Sequence, residues 1–231
     1  MPNVTLLPFD VTNLEQINKT VKEITSKQNI DVVFNNAGYG LVGALESYSD
    51  DQITKQIDTN LTGVLRVIKA FIPYFKEKRN GLFITTTSVC GFSSNPLSPV
   101  YNATKWALEG FSESISYDLA LFNIGIKTVA PGGIKSDFMK GMVATVDRDY
   151  DILNERLGKL FSDGTLIEFT PTEKIAEIVF EAATDEKDQL RYLAGNDAVK
   201  ISNERDIKGR ENFRRDLTAL FNLESPYKNK L

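Results

Sequence analysis

The chain has 231 residues, 42% of them apolar and 25% charged, with a net charge of −4. That suits one well-cored domain spanning residues 1–231, and the interspersed charges leave no footprint for nucleic acid and no polybasic membrane anchor. With one cysteine, Cys90, and no histidine, an internal disulfide, His-based triads and His-ligated metal sites are excluded, and no metal site is expected.

The N-terminal MPNVTLLPFDVTN lacks the basic start and long apolar stretch of a signal peptide, and no apolar run approaches the roughly eighteen residues of a membrane span. A cytoplasmic protein is expected. In chain order, VTLLPF (4–9) predicts a strand followed by a helix from Thr12, and IDVVF (30–34) a strand followed by a helix from Ser49. LFITTT (82–87) leads to a helix near Pro99, and IKTVA (126–130) to an irregular stretch. This alternation predicts an α/β fold: a mostly parallel sheet between helices, three-layered and Rossmann-like. Capping boxes mark three helix starts: Thr12 with Glu15, Ser49 with Gln52, and Thr170 with Glu173, where Pro171 takes the first helical position.

On the helix from about Pro99 to Phe122, Val100, Thr104, Ala107, Phe111, Ile115 and Leu119 form one stripe for the sheet. Trp106, Leu108 and Phe122 add apolar surface off it, which suggests a second buried face. From Ser136 to about Thr165 the pattern loosens, and Phe138, Met139, Met142 and Val143 suit an apolar pocket wall or an ordinary surface loop. Cys90, two residues after Ser88, reads as a small buried apolar side chain.

Tyr101 and Lys105 are one helical turn apart, with Ser88 thirteen residues before Tyr101. A tyrosine acts as an acid or base near pH 7 only if a neighbour stabilises its phenolate. Positions i and i+4 share a helix face, so the Lys105 ammonium is placed to lower the Tyr101 pKa. The Ser88 hydroxyl can donate to a carbonyl oxygen or accept from an alcohol. Gly38-Tyr39-Gly40-Leu41-Val42-Gly43 matches the G-x-G-x-x-G pattern after a strand. A dinucleotide fingerprint, however, opens a helix onto pyrophosphate, and here the helix waits for Ser49, with Glu46 in between. The six residues therefore read as a strand-end loop and a turn.

Asn35-Asn36-Ala37-Gly38 after a strand, Asn60 in DTNLTG, Ser88, Tyr101 with Lys105, and Pro131-Gly132-Gly133-Ile134 follow one another in order. This set resembles the short-chain dehydrogenase/reductase family from Leu6 to about Ala198. The resemblance implies hydride transfer between NAD or NADP and a small-molecule alcohol or ketone. It implies Tyr101 as acid and base, Ser88 on the substrate oxygen, Lys105 on Tyr101 and the nicotinamide ribose, and Asn60 holding a water that passes protons to Lys105. The Asn60 role requires a local distortion of its helix. Asn36, Ala37 and Gly38 would lie beside the adenosine ribose, and Asp10 and Val11 on the adenine side. Pro131, Gly132 and Ile134 would contact the nicotinamide, and Ser136 the pyrophosphate. Phe138 and Met142 would join Ser88 and Tyr101 around the substrate, under a variable segment at 136–165. The long helix from Pro99 implies a homodimer or homotetramer.

Family members place a strand, a glycine-rich turn, a helix and a second strand before the strand matching Val4–Phe9, and this chain has no counterpart to them. The expectation is an N-terminally truncated domain, with Met1 an internal methionine of a longer protein. Val4–Phe9 would then lie beside Ile30–Phe34, be paired by another subunit, or detach; a right-handed crossover makes the first permissible and favoured. Nucleotide binding is expected to suffer. A catalytically silent binding or scaffold protein is the alternative, while a family-derived dehalogenase is disfavoured by Lys105.

Overall fold

The computed structural model describes residues 3–223. After an extended start, α1 (Leu14–Lys27) leads to β1 (Val32–Asn35), the short β2 (Leu41–Val42), α2 (Asp50–Ile57) and α3 (Gly63–Lys78). Next come β3 (Gly81–Thr86), α4 (Pro99–Ala120), β4 (Ile124–Pro131), β5 (Gly133–Lys135) and β6 (Val143–Ala144). The chain closes through α5 (Asp151–Ser162), β7 (Phe169–Pro171), α6 (Thr172–Thr184), β8 (Arg191–Ala194), α7 (Asn196–Lys208) and α8 (Arg210–Leu220).

The main sheet is parallel, in the order β1-β3-β4-β8. On one face α1, α3 and α4 bury Ile17, Val67, Phe71, Phe75, Phe83 and Leu108. Each such side chain contributes about 1.5–3 kcal/mol when fully buried. On the other face α6 packs over β3, β4 and β8 around Ile84, Val129, Ile175 and Tyr192. The three-layered Rossmann-like arrangement is the one the alternation predicts. A third cluster joins Leu97, Leu157, Leu160 and Phe221, fastening α5 to the end of α8.

The expected first strand does not form. Residues 4–10 run as exposed coil, and Val32–Asn35 is an edge whose Val32 and Phe34, 39% and 43% exposed, face away from α3. The anchorage of α1 explains this. Ile17 and Val21 are buried against α3, Val11 packs close to Gly63, and the Asp10 amide donates to Gln16 Oε1. The chain before Asp10 is thus held at the start of α1, and burying α1 outweighs the few hydrogen bonds that a short edge pairing offers.

The Ser49–Gln52 capping box is present in both directions. The other two shift. Thr12 is drawn into a turn by Asp10, whose carboxylate accepts from its amide and hydroxyl, so Asn13 caps α1 by accepting from the Gln16 amide. Thr170 is held in β7 opposite Ile134, and α6 starts after Pro171 without a side-chain cap.

Helix α4 runs over nearly the expected span, but its deepest side includes Lys105, Leu108, Glu109 and Ser112, while Ala107, Phe111 and Ile115 are half-buried. Three polar residues occupy a face that apolar periodicity assigns to nonpolar ones. Glu109, 3% exposed, accepts from Thr87 Oγ1 at 2.6 Å, Thr128 Oγ1 at 3.3 Å and Arg191 Nε at 2.9 Å, which offsets the cost of burying its charge. Part of the apolar surplus is absorbed within the chain: Leu108 enters the core and Lys76 lies over Phe122, whereas Trp106, with the Arg205 guanidinium over its ring, stays 37% exposed.

Candidate active site

The carboxyl ends of the parallel strands open into a cavity of about 1020 Å³. Ser88 reaches it from the turn after β3, in extended backbone, where its hydroxyl accepts from the Cys90 amide at 3.1 Å. Tyr101 and Lys105 reach it from the first turns of α4, a helix that starts with Pro99 at its first position. Lys105 is buried, and its Nζ donates to the Thr86 carbonyl at 2.9 Å, so α4 is tied to the end of β3. Ser88, Tyr101 and Lys105 therefore line one cavity.

The electrostatics differ from the sequence-based expectation in one respect. Burial pushes the Tyr101 phenol above its ordinary value, Cys90 adds to the rise, and the Ser88 hydroxyl beside it pulls it back only in part. The Lys105 ammonium bonds Thr86 and lies 5.7 Å from the Tyr101 ring centroid, and the net shift of the phenol is upward, set by its burial. Burial instead lowers Lys105 itself to about 8, with Cys90 and Glu109 opposing the fall. Such a lysine sits near the pH at which it exchanges a proton, a property that clusters at functional sites.

The chain distorts at Asn60 as its expected role requires. Residues Asp58–Thr62 form a π-helical turn in which the Gly63 amide reaches back five residues to the Asp58 carbonyl. The Asn60 side chain is 1% exposed and locked to one neighbour: Oδ1 accepts from the Tyr39 amide at 3.1 Å and Nδ2 donates to the Tyr39 carbonyl at 2.8 Å. A Cβ at Gly38 would come within 3.2 Å of the same Oδ1. Asn60 thus fastens the 38–39 loop from behind and does not line the cavity.

Asn36, Gly38, Pro131, Gly132, Ile134 and Ser136 all line the cavity, as do Phe138 and Met142. The Phe138 ring stands 6.1 Å from that of Tyr101. Asp10, Val11 and Ala37 lie outside the cavity wall. The Asp10 carboxylate is turned onto Thr12, whose amide and hydroxyl hold it below the ordinary carboxylate range. Cys90, read from the sequence as a small buried apolar side chain, is half-buried in the cavity wall, and burial pushes its thiol up to about 11.

Two contributions escape sequence reasoning. Phe213, Leu217, Leu220 and Phe221, at the end of the chain, join Leu157 and Phe161 of α5 in an apolar wall. Asp197, at the start of α7, accepts from the Gly133 amide at 2.7 Å. The signal for the first was an apolar period of 3–4 residues in FRRDLTALF; for the second, a Gly-Asn-Asp helix start directly after RYLA.

The residues present fit the nicotinamide half of a dinucleotide: a buried lysine, a tyrosine and a serine face the backbone of the 36–38 and 131–134 loops across one cleft. On the pyrophosphate side, no glycine-rich turn among the described residues opens a helix onto the cavity. Gly38–Gly43 instead passes into β2, which pairs with β6, and α2 begins only after Ser49.

The family model for short chain dehydrogenases matches residues 2–147. An uncharacterized oxidoreductase of Schizosaccharomyces pombe is 37% identical over 204 residues, covering 87% of this chain and 85% of that protein. Human retinol dehydrogenase 8 is 38% identical over 143 residues, covering 62% of this chain and 45% of its own. Among solved structures, ElxO with NADP bound superimposes with a TM-score of 0.72 at 25% identity, covering 86% of this chain and 79% of its own. The chain belongs to the short-chain dehydrogenase family, and its class is that of the oxidoreductases.

Proposed function

We propose that this protein interconverts a secondary alcohol and a ketone with NAD or NADP, and that its substrate is largely apolar. The observation that carries the reading is the convergence of Ser88, Tyr101 and Lys105 on one cavity beside the 131–134 loop. The nicotinamide, when bound, supplies or accepts the hydride. Tyr101 gives the proton to the carbonyl oxygen in reduction and takes it back in oxidation, while Ser88 donates a hydrogen bond to the same oxygen. Lys105 relays the proton and offers its ammonium to ribose hydroxyls; its value near 8 suits that exchange. Asn60, in the π-helical turn, would hold a water that passes protons to Lys105, and its side-chain amide fixes the Tyr39 loop.

The 36–38 loop would hold the adenosine ribose side and the 131–134 loop the carboxamide, with Ser136 reaching toward pyrophosphate. The apolar character of the substrate is supported by Met142, Leu157, Phe161, Leu217 and Phe221 in the wall beyond Tyr101. It also agrees with the retinol named for the human relative. Self-association to a homodimer or homotetramer through α4 is supported by the exposed Tyr117 on the helix and Leu121 just past its end. No described helix is long and apolar enough to cross a membrane; the proposal places the reaction in the cytoplasm, in keeping with a free cysteine.

A catalytically silent binding protein is favoured by a single observation, the lack of a glycine-rich helix start facing the cavity among the described residues. Titration with NADH and NADPH, followed by reduced-nicotinamide fluorescence, separates the two. Micromolar binding, together with turnover that Tyr101→Phe abolishes without loss of binding, supports the enzyme. No binding up to millimolar nucleotide removes it.

A further inference from the structure

Beside the 131–134 loop, in the wall of the same cavity, lies a buried carboxylate that the reaction above does not use. Asp197 stands in the first turn of α7 and is 6% exposed. Its partners are backbone amides from three separate segments. Oδ2 accepts from Gly133 at 2.7 Å and from Glu168 at 3.3 Å, and Oδ1 accepts from Ala198 at 2.9 Å. A negative charge at a helix start is favoured by the helix dipole, and amide bonds to an ionised acceptor are stronger than those to a neutral one. One side chain thereby joins the loop after β4, the approach to β7 and the start of α7.

Gly132 is fitted to this carboxylate. A Cβ there would fall 2.1 Å from both Asp197 oxygens, and Gly132 is not among the glycines with a left-handed φ. What requires glycine at 132 is therefore the Asp197 side chain, not the backbone conformation. Gly195 differs, because its φ of +110° adds a backbone reason to a Cβ approach of 2.7 Å.

We infer that Asp197 is a positioning residue for nucleotide binding: its carboxylate fixes the Gly133 amide and the course of the Pro131–Ile134 loop, and with them the face that this loop turns to the nicotinamide. The inference rests on the nucleotide reading above and adds a residue to it. An asparagine would offer a single acceptor oxygen and turn an NH₂ group toward one of the amides, so charge and shape both count at this position.

The test compares wild type, Asp197→Asn, Asp197→Ala, Gly132→Ala and the Gly132→Ala/Asp197→Ala pair. Each is titrated with NADPH and NADH by fluorescence, assayed for nucleotide KM and kcat, and melted without nucleotide. Asp197→Ala is expected to weaken nucleotide binding by about tenfold or more, the loss of charge-assisted bonds, with nucleotide KM rising by a larger factor than kcat falls and substrate KM unchanged. Asp197→Asn should fall between it and wild type, and it carries the comparison if the alanine variant does not fold. Gly132→Ala alone should lower both binding and the melting midpoint, whereas in the Asp197→Ala background it should cost little, because the group it would strike is gone. Wild-type affinity in Asp197→Ala, or additive effects of the two substitutions, overturns the inference. If wild type itself binds no nucleotide, the nucleotide reading fails separately. The melting midpoints then decide whether Asp197 holds the loop, since that coupling needs no ligand.

Discussion

The Lys105 ammonium donates to the Thr86 carbonyl at 2.9 Å while standing 5.7 Å from the Tyr101 ring centroid. The lysine is therefore a tie between α4 and β3 as well as a charge beside the phenol. Its burial has a measurable pH signature.

Lys105 titrates at about 8 in the folded chain, below the ordinary lysine value near 10.5. Between those values the unfolded chain binds more protons, so stability should rise with pH from about 8 to 10, by at most about 1.4 kcal/mol per pH unit from this group. Lys105→Met should lose that slope along with activity. Urea unfolding of both proteins at pH 7, 8, 9 and 10 measures it, and parallel curves would show that the lysine is not depressed.

Cys90 faces the same cavity with its thiol raised to about 11. At pH 8 its thiolate fraction should be roughly a hundredfold below that of an unburied cysteine, and alkylation should slow in proportion. Iodoacetamide labelling beside a cysteine-containing peptide checks this; equal rates would contradict the burial.

Gly81 opens β3 where a Cβ would fall 2.3 Å from the Phe75 ring. Phe75 is fully buried and stacks edge-on to Phe83, so it has little room to retreat. Gly81→Ala should cost about 1–3 kcal/mol as an overpacked core position. Its thermal midpoint against wild type gives the value, and an unchanged midpoint would mean the ring moves freely.

Asp185 and Lys127 pair at 2.6 Å with side chains under a tenth exposed, and Tyr192 donates to the same carboxylate at 2.7 Å. The Lys127 bond holds Asp185 well below the ordinary carboxylate range. Its contribution is present above the unfolded value near 3.8 and disappears as pH falls toward the lower folded value. Asp185→Asn should be less stable at pH 7 and show a shallower loss of stability below pH 4. Acid titration of the circular dichroism signal follows both.

The outer edge of β1 leaves Val32 and Phe34 half-exposed, a strand edge that invites pairing between chains. Phe34→Lys should reduce concentration-dependent association, read as light scattering across a tenfold dilution. Scattering that is unchanged by the substitution would place association elsewhere.

The sheet, α4 and the reactive trio were legible because each rests on local pattern: LFITTT and IKTVA are β-rich runs, and Tyr101 and Lys105 lie one turn apart on a helix whose start carries Pro99. Val4–Phe9 reads as a strand just as well by composition, but a strand exists only with a partner, and the anchorage of α1 withholds one. Glu109 and Asp197 were hidden for a related reason. A buried carboxylate looks like a surface residue until the amides and hydroxyls that satisfy it are assembled from distant segments. The upward Tyr101 shift was hidden likewise, since i,i+4 spacing fixes a shared face but not how deeply the phenol is buried.

The π-helical turn at Asp58–Thr62 acts as a phase shifter between α2 and α3. A regular helix advances about 100° per residue, so one extra residue in the turn decouples the angular settings of the two flanking segments. Gln56 before it can bond the Tyr39 carbonyl while Val64, Val67, Ile68 and Phe71 after it face the sheet. An uninterrupted helix could satisfy the loop or the core, and a single inserted residue lets the same rod satisfy both.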